Sequence, residues 1–291
     1  MKIESHPSTA DEESLSKNDF DRLCRLIYEQ SGIHLSVEKK TMLELRIKRR
    51  LKALNLDSFR KYCEYLFTAR GEKEEIVHLI DVVSTNKTDF FREPDHFVFL
   101  AQKAIPDLLA HKENAGSLLV WSAGCSTGEE PYTLAMVLQE WSLANSALHF
   151  KVLATDVSTT VLAKAHRGVF HCDVVRPVPA ELRRKYFMRS RDPESKVLRV
   201  VPELRQVVEF RRLNFMDADF GLAQKVDVVF CRNVMIYFDR PTQERIVQKL
   251  ANQLVAGGYA FFGHSESLQQ MNVPLRAVAP SAYRKDDDAR T

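Results

Sequence analysis

The sequence has no long apolar run, no paired cysteines and no surplus of either charge. No stretch of its 291 residues approaches the ~20 apolar residues that cross a bilayer, so no membrane insertion is expected. The five cysteines (Cys24, Cys63, Cys125, Cys172, Cys231) stand apart, without a CxxC pair or histidines at ligand spacing. That excludes a disulfide framework and a zinc site from the expectations. Lys and Arg total 42 against 39 Asp and Glu, so any polyanion-binding patch must be local. The opening residues, MKIESHPSTADEESLSKND, are polar and acidic and lack the apolar core of a secretory signal. The expectation is a reduced, cytoplasmic protein, a monomer, with no metal and no nucleic-acid partner, and long enough for one large domain or two ordinary ones.

What the chain does have is the stretch LLVWSAGCSTGEEPY, Leu118 to Tyr132. Leu118 to Trp121 read as a buried parallel strand, Ser122 to Gly128 as a tight turn, and Pro131 suits the first turn of a helix continued by Leu134, Ala135, Val137, Leu138 and Trp141. Strand, glycine turn and helix open a nucleotide-binding α/β fold. The glycines, Gly124 and Gly128, are spaced GxxxG, and Glu129 and Glu130 stand where a pyrophosphate would approach. Acids at that helix start suit a nucleoside with positive charge and no phosphate, such as S-adenosylmethionine. The competing reading is that both acids only stabilise the helix dipole.

Residues 1–17 lack hydrophobic periodicity and are expected to be a flexible tail. Residues 18–84 carry helical spacing: Phe20, Leu23, Cys24 and Ile27 with Gly32 as a stop, then Met42, Leu43, Leu45, Ile47 and Leu51, then shorter helices to Val83. The second helix is dense in Lys39, Lys40, Arg46, Lys48, Arg49, Arg50 and Lys52, which reads either as a solvated face or as a dock for an acidic partner. STNKTDFFREPDHF, Ser84 to Phe97, is expected to be an interdomain linker over 85–98 that contributes to the cofactor site. Its Phe90 and Phe91 weigh against a free linker.

Residues 99–291 continue as α/β. HFKVLATDVS gives a second strand ending in Asp156, placed to accept from ribose hydroxyls or to cap the next helix. Between about 169 and 208 the rhythm breaks into an inserted antiparallel β-subdomain. It resumes at VEFRRLNF and at VDVVFC, Val226 to Cys231, followed by Arg232, Asn233 and Tyr237; a helix from Pro241, a turn at Gly257 and Gly258, and the strand YAFFGHSES come last. His264 is read as structural, since no partner is evident.

Five segments in this order, TNKTDFFRE, WSAGCSTGEEPY, LATDVS, FCRNVMIYFD and GHSESL, resemble the chemotaxis receptor methyltransferases (CheR). The resemblance implies a doubly wound Rossmann-like methyltransferase sheet with a small all-helical N-terminal domain and the inserted β-subdomain. It implies methyl transfer from S-adenosylmethionine to glutamate side chains of a chemoreceptor's cytoplasmic helices, leaving S-adenosylhomocysteine. Carried over by motif, the cofactor site is Asn86, Thr88, Arg92, Glu130, Asp156, Asn214, Phe215, Arg232 and Asn233, with Arg92 and Tyr237 lining the place of transfer. The helical domain would dock on the receptor, with Arg46, Arg49 and Arg50 as candidates. The insert would capture a receptor C-terminal pentapeptide in some members, although RSRDPESK has none of the glycines that tail-binding relatives tend to carry there. The alternatives are a nucleic-acid methyltransferase, against which RNVMIYF stands in place of an Asn/Asp-Pro-Pro-aromatic motif, and a non-catalytic adaptor that binds the same cofactor.

Overall fold

The computed structural model describes residues 14–111, 117–145, 148–192 and 194–286. The chain divides into two compact units, the first ending at Thr85 and the second beginning at Asn86.

The first unit is all helical: α1 (Lys17–Ser31), α2 (Lys40–Leu54), α3 (Phe59–Leu66), α4 (Ala69–Glu74) and α5 (Ile76–Val83). The Ser16 side chain accepts from Asp19 N–H at the start of α1, and Gly32 ends it in the left-handed region at φ 72°. Order starts earlier than the expected tail boundary at Lys17, because Leu15 is buried and its N–H donates to Glu44 Oε1 at 3.0 Å. Residues 1–13, most of that expected tail, lie outside the described residues.

Two of the basic residues on α2 turn inward. Arg50 forms a paired bond with Glu75 at 2.7 and 2.8 Å, and the Tyr62 hydroxyl donates to the same carboxylate at 3.1 Å. Arg46 donates to the carbonyls of Val83 and Ser84, where α5 ends and carbonyls lack helical partners. Arg49 stays exposed with Lys48, Lys52 and Leu45.

The second unit is built on a seven-stranded sheet: β1 (Ser117–Ala123), β2 (His149–Asp156), β6 (Val208–Arg212), β7 (Val226–Cys231), β8 (Leu254–Phe262), β9 (Leu275–Ala279) and β10 (Ala282–Lys285). Their spatial order is β6-β2-β1-β7-β8-β10-β9, parallel through β8 and antiparallel at the β9–β10 hairpin. The chain steps outward from β1 on one side and returns to lay β7 on the other, which makes the carboxyl ends of β1 and β7 the topological switch point. Val120, Trp121, Val152, Val228, Val229, Phe230 and Phe261 are buried, as the continuous apolar runs of doubly covered strands require.

Gly257 and Gly258 lie within β8 rather than in a turn. The β7–β8 register jumps from Val226↔Leu254 to Val228↔Tyr259, a bulge that takes up the extra residues. The insert contains β3 (Val169–His171), β4 (Phe187–Arg189) and β5 (Val197–Val200) in the order β3-β5-β4. Phe90 packs edge-on against Phe170 and Phe187, with ring centroids at 5.0 and 5.6 Å. The segment expected to link the domains is thereby part of the second unit's core.

Replacing Arg50 by Ala strands the buried Glu75 carboxylate without its cation and is expected to cost about 3–5 kcal/mol. Arg49→Ala is expected to stay within about 0.5 kcal/mol of the parent. Urea unfolding of the full chain, monitored by circular dichroism, checks both.

Candidate active site

The site grows from the loop after β1. Gly124 has φ +90°, and a Cβ there would meet Val234 Cγ2 at 2.6 Å, so both backbone shape and space demand glycine. The N–H groups of Gly124 and Cys125 donate to the Thr155 carbonyl at 2.8 and 2.9 Å, which fastens the loop to the end of β2. Ser126, at φ 48°, donates its N–H to Asp156 Oδ2 at 2.9 Å and its hydroxyl to the Asn86 carbonyl at 2.9 Å. Asp156 Oδ1 accepts from Ser158 N–H at 2.9 Å, while the Ser158 hydroxyl caps α9 (Thr159–Arg167). Ser158 therefore fills the capping role, and Asp156 joins the two loops.

Across the switch point stands Arg232, buried at the end of β7. Its Nε donates to Glu130 Oε2 at 2.8 Å, and its Nη1 donates to the Arg92 carbonyl at 2.7 Å and lies 3.1 Å from His96 Nδ1 and 3.5 Å from Glu93 Oε2. Its guanidinium also sits over the Phe97 ring, at 5.1 Å. Glu130, near the start of α8 (Glu129–Asn145), accepts a further bond from the Ser122 hydroxyl at 2.7 Å. Glu129 accepts from the Thr127 hydroxyl at 2.6 Å, and burial pushes its carboxyl upward from the usual range.

The loop after β7 is held from a distant part of the chain. Glu266 Oε2 accepts from Asn233 N–H at 2.8 Å and Gly263 N–H at 2.7 Å, and Oε1 accepts from Met235 N–H at 2.7 Å. Burial raises the pKa of this carboxyl, and the backbone donors oppose that shift. Asn233 is held at φ 59°, and its side chain donates to Glu93 Oε1 at 3.3 Å. A Cβ on Gly263 would come within 2.6 Å of Asn233 Nδ2.

These contacts bring Asn86, Glu130, Asp156, Arg232 and Asn233 into one set of strand-end loops. Arg92 enters the set through its backbone; its side chain donates to the Lys87 carbonyl at 3.2 Å. Thr88 lies between them and is half-buried. Asn214 follows β6 in a turn in which its side chain accepts from Met216 N–H at 3.0 Å, and Phe215 packs edge-on against Phe220 and Phe238. Tyr237 closes the 3-10 turn Met235–Tyr237.

Sequence reasoning missed Glu93, His96 and Glu266 as members of this set. Glu93 and Glu266 lie inside the quoted segments TNKTDFFRE and GHSESL, but nothing local pairs either with a strand end far along the chain. Phe91, Glu93, Ser126 and Asn233 all have positive φ, and all four belong to these loops. Such clustering marks a site whose surroundings over-determine its shape.

The arrangement offers buried carboxylates for cationic or hydroxyl groups and a fixed guanidinium that neutralises one of them. Among the described residues, no helix is long and apolar enough to cross a membrane. The family model described as "CheR methyltransferase, SAM binding domain" matches residues 86–283, and "CheR methyltransferase, all-alpha domain" matches residues 18–84. The chemotaxis protein methyltransferase of Borreliella burgdorferi is 38% identical over 278 residues, covering 94% of this chain and 96% of that protein. Chemotaxis protein methyltransferase 2 of Pseudomonas aeruginosa is 39% identical over 268 residues, covering 92% and 93% respectively. The corresponding protein of Salmonella typhimurium is 38% identical over 275 residues, covering 94% and 92%.

His96 yields a pH prediction. Burial, then the Arg232 charge, holds its pKa down to about 4 from 6.5, so the unfolded chain takes up this proton before the folded one does. The stability it contributes is complete above about pH 6.5 and is lost as pH falls towards 4. Thermal unfolding of His96→Gln is expected to fall less steeply over that window than the parent's.

Proposed function

The chain belongs to the CheR methyltransferase family, and from that premise we propose that it transfers a methyl group from S-adenosylmethionine to glutamate side chains of a chemoreceptor's cytoplasmic helices. What most supports this reading is that buried acids and a buried arginine from the family-matched segments meet at the switch point of the sheet.

The donor set suits the cofactor. Glu130, accepting from Arg232 on one oxygen and Ser122 on the other, retains lone pairs for an ammonium group, and Asp156 stands at the end of β2, where a ribose acceptor belongs. Asn86, Thr88, Asn214, Phe215, Arg232 and Asn233 complete the proposed holding set. When bound, the cofactor supplies an electrophilic methyl on a sulfonium.

The acceptor glutamate has an ordinary pKa of about 4.3, so it is already a nucleophilic carboxylate at neutral pH and needs no base. Transfer to a ready-made carboxylate also requires no metal. The protein's work is alignment and exclusion of water. Arg92 presents paired donors that can orient the acceptor carboxylate, and Tyr237 offers a ring to positive charge or a hydroxyl to the acceptor. For docking, the exposed Arg49, Lys48 and Lys52 on α2 are the residues left to steer an acidic receptor surface. β3 and β4 are the two edges of the insert's sheet, the kind of edge to which a receptor tail strand adds.

Receptor-containing membranes incubated with methyl-labelled cofactor should release labelled methanol on base treatment, and nuclease should leave the signal intact. Arg92→Ala is expected to lower kcat by about 10²-fold with little change in cofactor affinity. Asp156→Asn is expected to weaken cofactor binding by about tenfold and to cost less in kcat. Steady-state kinetics at saturating cofactor separate the two, and equal losses in kcat would refute the division of roles.

A further inference from the structure

The loop after β6, residues 213–225, contains no helix or strand, so its shape depends on what grips it from outside. Its near end is fixed to the site described above. β6 lies beside β2 in the register Asp156↔Arg212, and the Leu213 N–H donates to the Asp156 carbonyl at 3.0 Å. Asn214 then closes a short turn: its carbonyl accepts from Asp217 N–H and its side chain from Met216 N–H, both at 3.0 Å. The carbonyls of Phe215 and Asp217, in the same turn, are taken up by a single side chain from a distant element.

That side chain is Lys249, on the helix Arg240–Gln253, whose ammonium donates to both carbonyls at 2.6 Å. The same ammonium lies 4.5 Å from the centre of the Phe220 ring, farther along the loop. Short charge-assisted bonds to these carbonyls fix the peptide planes after Phe215 and after Asp217. Phe220 is buried, edge-on to Trp121 of β1 at 5.5 Å and to Phe215 at 6.0 Å. Arg211 secures the far limb by donating to the carbonyls of Phe220 and Gly221 at 2.9 and 3.1 Å. Burial lowers the Lys249 pKa, the sign expected of an ammonium that has exchanged water for protein partners.

The strand ends β7, β1, β2 and β6 stand side by side. On the cofactor reading proposed above, the amino-acid end lies at Glu130, beyond β1, and the ribose at Asp156, beyond β2. The same direction continued leads to the end of β6, so the base falls against residues 213–217. We propose that Lys249 is a positioning residue for the base half of the cofactor, holding the loop after β6 in the shape that receives it. It touches no reacting atom; its effect passes through the Phe215 and Asp217 carbonyls. The proposal rests on the cofactor reading, whereas the grip on the loop does not. A lysine that served only the fold would change unfolding and leave the affinity of the folded site unaltered.

Lys249→Met keeps much of the side chain's length and removes its donors. Without ligand, amide exchange at residues 214–218 of the full chain should quicken about tenfold, while the thermal midpoint moves by no more than about 4 °C. In calorimetric titrations the dissociation constants of S-adenosylhomocysteine and of adenosine, which share the base, should rise by the same factor, on the order of tenfold. Turnover at saturating cofactor should stay within about twofold, so the loss appears in the cofactor KM. Lys249→Arg, which can donate to both carbonyls, should recover most of the affinity. Lys249→Gln, with a neutral donor, should fall between parent and Met variant, and it carries the same test if the Met variant does not fold. Unchanged affinity, an equal loss in kcat, or a loss for S-adenosylhomocysteine that adenosine does not share would each overturn the proposal. Failure of the parent to bind S-adenosylhomocysteine at all would instead overturn the cofactor reading.

Discussion

The second unit depends on a full positive charge kept out of water at the end of β7. Arg232 survives there because Glu130, Glu93, the Arg92 carbonyl and His96 surround its guanidinium and aromatic rings cover it. Removing Arg232 would leave two carboxylates, Glu130 and Glu93, without their cation in a low-dielectric setting. The pairing therefore ties the start of α8, the segment before α6 (Asp95–Phe99) and the loop after β7 to one another. Geometry at the site is inherited from that bond set rather than from any single loop.

The loops so tied carry the strain that such a site needs. Phe91, Glu93, Ser126 and Asn233 would each relax to negative φ in an isolated peptide. They are held by partners from elsewhere in the chain: Asp156 at the end of β2 on Ser126, Glu266 in the loop after β8 on Asn233, and Phe97 in the helix Asp95–Phe99 packed against Phe91. Sequence-distant carboxylates serve here as backbone clamps, a role normally filled by local caps.

The strands were readable wherever burial on both faces produced an unbroken apolar run, as at Val226 to Cys231, and the helices wherever the apolar positions recurred on one face, as at Phe20, Leu23 and Ile27. Gly257 and Gly258 misled because a glycine pair signals a turn locally, whereas here a neighbouring strand takes up the bulge. Among the candidate site residues, Glu130, Asp156 and Arg232 were legible from their positions at strand ends and in recognisable segments. Glu266 and His96 were not, since what makes them members is a partner more than 30 positions away. The basic density of α2 likewise could not reveal which charges face outward. Glu75, which claims Arg50, lies 25 positions on, and the carbonyls that claim Arg46 belong to a different helix end.

The reach of Glu266 also bears on how the molecule comes into being. Its carboxylate grips backbone groups 31 and 33 positions earlier, and Arg232 itself closes onto Glu93 across 139 positions and Glu130 across 102. Contacts of such span form late, after the ordering cost of the intervening chain has been met. During synthesis the β1 turn and α8 can settle early, yet the pocket they face stays unfinished until the ribosome has released the GHSESL segment. Competence to hold the methyl donor should thus arrive in one step, once that segment has emerged and closed onto the loop after β7.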